Sequence, residues 1–390
     1  MRTQVAIIGA GPAGMFLAHL LKARSIDCMV LERHSRAYVE GRVRAGILEQ
    51  ITIDTLVELG LDTRLREQGL VHEGINLLYD DSLIHIDLHA LTGSSITVYG
   101  QQEVMRDLFD AADEGGPIVV FDAEEVAIHE VTGDGAHVTW RSQGQQRKLE
   151  CQFIAGCDGS HGVCRTAIPR SVQQSFERVY PFSWLGILAD VPPANHELIY
   201  CNHANGFALA SMRSPTRSRY YLQCGIDEKI EDWSDGRFWD ELCVRLGPIG
   251  STLTRGPSFE KSVTPLRSFV CEPLNFGRLF LAGDAAHIVP PAGAKGLNLA
   301  VSDVVLLADA LRDFYAANRE DGLKSYSARA LRRVWKAERF SWWFTTLIHR
   351  FPDMDGFERK MQLAELDYIR SSLTAQRSLA ENYVGLPLER

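Results

Sequence analysis

Gln4-Val5-Ala6-Ile7-Ile8-Gly9-Ala10-Gly11-Pro12-Ala13-Gly14 opens the first structural unit of the chain, and Cys28-Met29-Val30-Leu31-Glu32 closes it. Val5 to Ile8 is an apolar, β-branched run suited to a buried strand. Three glycines follow, then Leu17, Leu20 and Leu21 at helical spacing, then a second apolar strand ending on an acid. Strand, glycine turn, helix and strand within about 30 residues make the dinucleotide-binding βαβ unit. Gly9 permits the tight turn, Gly11 lets backbone approach a pyrophosphate, and Gly14 lets helix pack closely on strand. The helix start offers unpaired N–H groups and a positive dipole end to phosphates. Glu32 can accept hydrogen bonds from ribose hydroxyls. A lone G-x-G-x-x-G says little, but here strand, helix and terminal acid all stand where the ligand needs them.

The surrounding composition is that of an ordinary globular protein: 390 residues, 45% hydrophobic, 9% aromatic and 23% charged, enough for two or three domains. A net charge of −9, from 41 basic and 50 acidic residues, argues against nucleic acid or an anionic membrane as partner. The eight cysteines include no C-x-x-C pair, which points to reduced thiols and a cytoplasmic location. Cys157, His161 and Cys164 imitate a metal cluster but lack a second ligand pair, so no metal is expected. Arg2 and the uncharged stretch 5–21 imitate a secretory leader, yet Gly9, Gly11, Pro12 and Gly14 interrupt its apolar helix. No stretch reaches the ~18 apolar residues that span a bilayer.

Alternation predicts strands with one solvated face at 84–88 and 136–140, and further strands at 198–200, 207–210 and 219–222. These read as a mixed sheet inserted after the nucleotide-binding part. From Leu297 the pattern is helical. Residues 326–348 carry Arg329, Arg332, Arg333, Lys336 and Arg339 with Trp335, Trp342 and Trp343. In an acidic chain this predicts a helix with a solvated charged side and an aromatic side in core or interface, not a nucleic-acid patch. Two more segments matter. Phe153-Ile154-Ala155-Gly156-Cys157-Asp158-Gly159 is a strand delivering an Asp-Gly pair, and Arg278-Leu279-Phe280-Leu281-Ala282-Gly283-Asp284-Ala285-Ala286-His287 is a strand ending in Gly-Asp. The latter runs into Pro290-Pro291-Ala292-Gly293-Ala294-Lys295-Gly296-Leu297-Asn298.

With the N-terminal turn, these segments make the chain resemble the FAD-dependent aromatic hydroxylases, the single-component class A flavin monooxygenases. The resemblance runs essentially end to end. It is greatest to members acting on 4-hydroxybenzoate, through blocks such as Arg44-Ala45-Gly46, Gly69-Leu70-Val71-His72-Glu73-Gly74, Glu197-Leu198-Ile199-Tyr200 and 335–343. It implies an α/β fold with an α+β insert: a Rossmann-like FAD-binding domain over 1–175, continuing through 268–349; an inserted mixed β-sheet substrate domain over 176–267, with 73–96 contributing; and a C-terminal helical interface region over 350–390. It also implies a homodimer. The implied reaction converts 4-hydroxybenzoate to 3,4-dihydroxybenzoate by hydroxylation at the 3-position. NADPH reduces FAD, and O2 gives a flavin C4a-hydroperoxide whose distal OH passes to the ring.

For FAD, the resemblance implies Gly9, Gly11, Pro12, Ala13, Gly14 and Glu32 at the ADP half, with Arg42, Arg44 and Gln102 adding contacts. Asp284 would meet the ribityl hydroxyls, and Gly293, Lys295, Gly296, Leu297 and Asn298 the flavin edge. Ser211, Arg213 and Tyr221 would grip the substrate carboxylate, a task for which a guanidinium fork is apt. Tyr200 and Tyr383 would carry the 4-hydroxyl proton to His72, with histidine titrating near neutrality. Pro291 would shape the ring pocket beside flavin. NADPH would lie near Arg33, His34, Tyr38, Arg42, Arg44, His161 and Arg267. Two positions depart from the family pattern: His34, where a longer side chain is expected, leaves NADH possible; Ala292, where threonine is usual, leaves room for a further ring substituent, as in 3,4-dihydroxybenzoate. A hydroxylase of another benzoate, an NAD-linked dehydrogenase and a non-catalytic flavin sensor are the rivals. Product position, yellow colour and ligand-stimulated NADPH oxidation separate them.

Overall fold

The computed structural model of the protein describes residues 1–42 and 46–389. Strand Val5–Ile8 is buried at every position, as an unbroken apolar run requires of a strand covered on both faces. It pairs in parallel with Cys28–Leu31 on one side and Phe153–Gly156 on the other. Ile118–Val120 extends one edge and Leu279–Leu281 the other, both in parallel, and antiparallel Asn275–Phe276 completes six strands. Helices Pro12–Ala23 and Gly296–Ala317 cover this sheet, burying Phe16, Leu17, Leu20, Val301, Val304 and Leu307 in one core.

The second large element is an eight-stranded sheet in the order His287–Ile288, Ser258–Glu272, Gln174–Ala189, Arg217–Gly225, Ala208–Ser214, Ile199–Asn202, Gly74–Tyr79, Ser82–Asp87. Only the pairing of Ile199–Asn202 with Gly74–Tyr79 is parallel. The strands expected at 84–88, 198–200, 207–210 and 219–222 all fall in it. The one expected at 136–140 belongs instead to a separate three-stranded antiparallel sheet, Glu124–His129, His137–Ser142 and Gln145–Glu150. One face of the large sheet packs on Phe238, Trp239 and Leu242 of helix Asp235–Arg245. The other buries Trp184, Tyr200 and Phe207 against Phe344, Leu366 and Leu379 of helices Asp321–Ile348, Gly356–Ser371 and Leu373–Val384.

The basic helix Asp321–Ile348 keeps the expected solvated charged side, with Arg332, Lys336 and Arg339 exposed, and uses it to hold the chain's last residues. Lys336 and Arg332 pair with Glu389 at 2.6 and 3.8 Å, and Arg333 donates to the Leu386 carbonyl. These contacts strap residues 386–389 along the helix. Its aromatic side is divided: Phe340 and Phe344 are core, whereas Trp335 and Trp342 are 40% and 44% exposed.

All eight cysteines are unpaired thiols. Burial pushes Cys28, Cys151 and Cys201 up to about 12 and Cys224 and Cys271 to about 11; Cys157 and Cys164 are also raised. Among the described residues no His, Cys, Asp and Glu cluster could hold a metal, and no helix is long and apolar enough to cross a membrane.

Candidate active site

The glycine turn is shaped by contact on two sides and by open space on the third. A Cβ on Gly9 would lie 2.4 Å from the Cys157 carbonyl oxygen, and one on Gly14 would lie 1.9 Å from the Gly9 oxygen. A Cβ on Gly11 meets nothing within 4 Å. The open side lies at the start of helix Pro12–Ala23, where first-turn N–H groups lack intrahelical partners. Glu32 is buried and held by the Ala10 and His34 amides at 2.8 and 2.9 Å. Gly283, beside exposed Asp284, packs so closely that its Cβ would stand 3.3 Å from that of Ala13 and 3.2 Å from that of Ala300. Turn, acid and Asp284 therefore converge on one cradle, and its donor set fits a dinucleotide such as FAD. Gln102 is half-buried near the start of helix Gln101–Asp113. Arg44 lies outside the described residues.

At the other end of the cradle, Pro291–Gly293 forms a single turn before helix Gly296–Ala317. The first N–H groups of that helix, at Gly296, Leu297 and Asn298, have no intrahelical carbonyl to meet. The side chains of Lys295 and Asn298, however, are committed elsewhere. Lys295 Nζ donates to Glu49 at 2.7 Å and to the Tyr383 carbonyl at 2.8 Å. Asn298 accepts from the Glu49 amide and the Thr52 hydroxyl, and donates to the Ile47 and Ala294 carbonyls. Only their backbones are left to face a flavin edge.

The ring pocket lies on the face of the large sheet turned toward the C-terminal helices. Strand register puts Tyr200, Leu209, Tyr221 and Gly186 in one transverse row, and paired residues point to the same face. Gly186 makes room there, since a Cβ on it would meet the Tyr221 ring at 2.7 Å. Ser211 lies one pleat along. Arg213 sits at a bulge between Met212 and Ser214, a device that re-aims a side chain. Its Nη1 is buried with no partner among the described residues; burial lowers its pKa and the Tyr221 phenol beside it works against that. An unpaired buried guanidinium N–H is a strong site for a carboxylate. Arg219, which the sequence reading missed, is 4% exposed over the Tyr221 ring and pairs with Glu260 at 3.2 Å. Strand alternation through Tyr221 was the signal that could have found it.

The Tyr200 and Tyr383 hydroxyls are 2.6 Å apart, both fully buried. Burial raises both phenols' pKa, and Arg213 and Tyr221 are close enough to act on Tyr200 electrostatically. Pro291 is half-buried and Ala292 buried, and Ala292 packs in the aromatic cluster that holds Tyr200 and Tyr383. His72 corrects an expectation: burial lowers it to about 4, so it does not titrate near neutrality.

The chain from residue 2 to 341 matches the FAD binding domain family. It belongs to the FAD-dependent aromatic hydroxylases. The p-hydroxybenzoate hydroxylase of Acinetobacter baylyi is 53% identical over 391 aligned residues, covering 100% of this chain and 96% of that protein. A probable NADH-specific resorcinol 4-hydroxylase of Rhodococcus jostii is 25% identical, over 84% of this chain and 64% of its own length. Among solved structures, p-nitrophenol 4-monooxygenase of Pseudomonas putida superposes with a TM-score of 0.83 at 17% identity, covering 99% of each chain; that likeness carries the fold.

In this aromatic hydroxylase four of the expected nicotinamide-cofactor residues form one group, exposed at Arg33, Tyr38 and Arg42 and half-buried at His34. Arg33 donates to His34 at 3.1 Å, the His34 and Tyr38 rings are 4.0 Å apart, and Arg42 lies 5.8 Å from the Tyr38 ring centroid. His161 is exposed in the loop after Phe153–Gly156, and Arg267, on strand Ser258–Glu272, pairs with Glu177 at 3.4 Å.

Proposed function

We propose that this flavoprotein hydroxylates 4-hydroxybenzoate at the 3-position, giving 3,4-dihydroxybenzoate, with NADPH as reductant. One observation carries the reading: a single pocket face presents a buried guanidinium nitrogen without a partner among the described residues, Arg213 Nη1, and a buried hydroxyl pair, Tyr200 and Tyr383. A ring with a carboxylate and a para hydroxyl has complementary groups at its two ends. The 53% identical p-hydroxybenzoate hydroxylase supports the same substrate. Arg213, with Ser211 and Tyr221, binds the carboxylate and sets the ring's orientation. Tyr200 accepts a hydrogen bond from the 4-hydroxyl, and Tyr383 passes the proton on toward His72, making the ring a phenolate whose ortho carbon is nucleophilic. Pro291 and Ala292 close the pocket and exclude water. FAD, held by Gly9, Gly11, Pro12, Ala13, Gly14, Glu32, Asp284 and the backbone of residues 293–298, supplies the activation of O2 once reduced. Arg33, His34, Tyr38 and Arg42 meet NADPH, and their cations suit a 2′-phosphate.

Residues 350–390 are the homodimer contact in this reading: Phe357, Met361, Tyr368 and Leu373 are 71%, 50%, 52% and 73% exposed on its helices, large apolar side chains of the kind that association covers. Light scattering during gel filtration is expected to give about twice 43.6 kDa. The activity test is NADPH oxidation by the yellow protein with and without 4-hydroxybenzoate, with product chromatography. Stimulated oxidation with matching 3,4-dihydroxybenzoate is expected; oxidation yielding only H2O2 rejects the pocket assignment. Ala292 favours a second reading, slow turnover of 3,4-dihydroxybenzoate to a trihydroxybenzoate, which uncoupled NADPH oxidation with that ligand would sink.

A further inference from the structure

His72 is 1% exposed, and neither ring nitrogen has a hydrogen-bond partner among the described residues. A histidine kept for packing alone leaves a buried donor and a buried acceptor unmet, which costs stability. A ring that takes a proton on one nitrogen and gives one from the other needs both open. What lies around it leads outward. The His196 ring stands 6.3 Å away, centroid to centroid, at 29°, on an exposed residue. One bridging water spans such a gap. Glu197 is the nearby group that favours protonated His72, while His196 opposes it. Glu197 is itself held in place, accepting from the Gly74 amide at 2.6 Å and from His85 Nε2 at 2.7 Å. With burial holding His72 near 4, the ring is too weak a base to retain a phenol's proton and suits a relay better than a terminus.

We propose that His72 hands the phenolic proton on to His196, with Glu197 as counter-charge, so that the proton leaves the protein at His196. The proposal rests on the reading of Tyr200 and Tyr383 as the proton path. The substrate O–H bond breaks and, through the two tyrosines, an N–H bond forms on one His72 nitrogen. The N–H on the other nitrogen gives its proton through water to His196, which releases one to solvent. No electrons are exchanged, and His72 ends neutral.

The test mixes holoenzyme with 4-hydroxybenzoate in weak buffer containing a pH indicator and follows proton release by stopped flow. The parent is expected to release a proton as the phenolate forms. His196→Gln, on an exposed residue, is expected to slow release by about tenfold or more, with the substrate dissociation constant and thermal midpoint unchanged and the rate restored by added imidazole. Glu197→Gln keeps the acceptor for Gly74, removes the charge, and slows release as well. An unchanged rate in His196→Gln overturns the relay while leaving the substrate reading intact. A parent that binds 4-hydroxybenzoate without releasing a proton overturns the tyrosine path itself.

Discussion

Arg213 shows how little a single residue reveals before its neighbours are known. Between Met212 and Ser214 it reads as surface, although alternation from Leu209 through Ser211 puts it on the pocket face beside Tyr221. Alternation gives a face but not what covers it, so the resemblance supplied the role that periodicity could not. Arg213→Lys keeps the charge and loses the fork; KM for 4-hydroxybenzoate is expected to rise by about 10- to 100-fold, with kcat changed less, in steady-state assays. Tyr383→Phe removes one member of the 2.6 Å hydroxyl pair. Its expected effect is the reverse split: kcat falls by about 100-fold or more while KM barely moves. Equal losses in both parameters would count against separate binding and proton-transfer roles.

At the scale of the element, what was legible was what is local. The βαβ unit lies within one short stretch, its Gly14 answers to Gly9 while its Gly11 borders open space, and the structure has it as read. The parallel pairing of Ile199–Asn202 with Gly74–Tyr79 joins segments far apart in sequence, and no local pattern announces such a partner. The same limit hid the use of Lys295 and Asn298, whose side chains serve Glu49 and its loop. Gly186 tests the strand's part in the pocket. Gly186→Ala puts a methyl against the Tyr221 ring and is expected to raise KM several-fold with a small change in thermal midpoint. Asp303, on helix Gly296–Ala317, ties that helix to the Asp284 turn by accepting from the Gly283 amide at 2.9 Å and from His287 at 2.6 Å. Asp303→Asn loosens the turn, and titration of apoprotein with FAD, followed by flavin fluorescence, is expected to show weaker binding; unchanged affinity would separate that turn from the cofactor.

For the molecule as a whole, pH acts through a few buried groups, with opposite signs. His349 accepts from Trp184 Nε1 at 2.6 Å and donates from Nδ1 to the Thr345 carbonyl at 2.9 Å; burial lowers it to about 3, and His72 to about 4. Both lie below their unfolded value of about 6.5. Below pH 6.5 the unfolded chain takes up protons that the fold refuses, so stability is lost as pH falls toward 4 and 3. Glu338, buried beside Ser268 and His287, is raised from 4.5 to about 7. Its contribution is complete below pH 4.5 and is lost as pH rises through 7. Glu338→Gln is therefore expected to raise the thermal midpoint at pH 8, by no more than about 3 kcal/mol in stability, and to match the parent at pH 5. The thiols carry a different consequence. Peroxide and alkylating agents attack thiolate, not thiol, and seven of the eight cysteines have pKa values pushed upward by burial. Cys28 and Cys243 are the two half-buried thiols, and Cys243 lies 3.4 Å from the Arg255 guanidinium, a neighbour that favours thiolate; Cys243 is the first that reagents should find. In timed iodoacetamide labelling it should be modified first and the others only on unfolding, so a catalyst that leaks peroxide ages, among its thiols, through a single position.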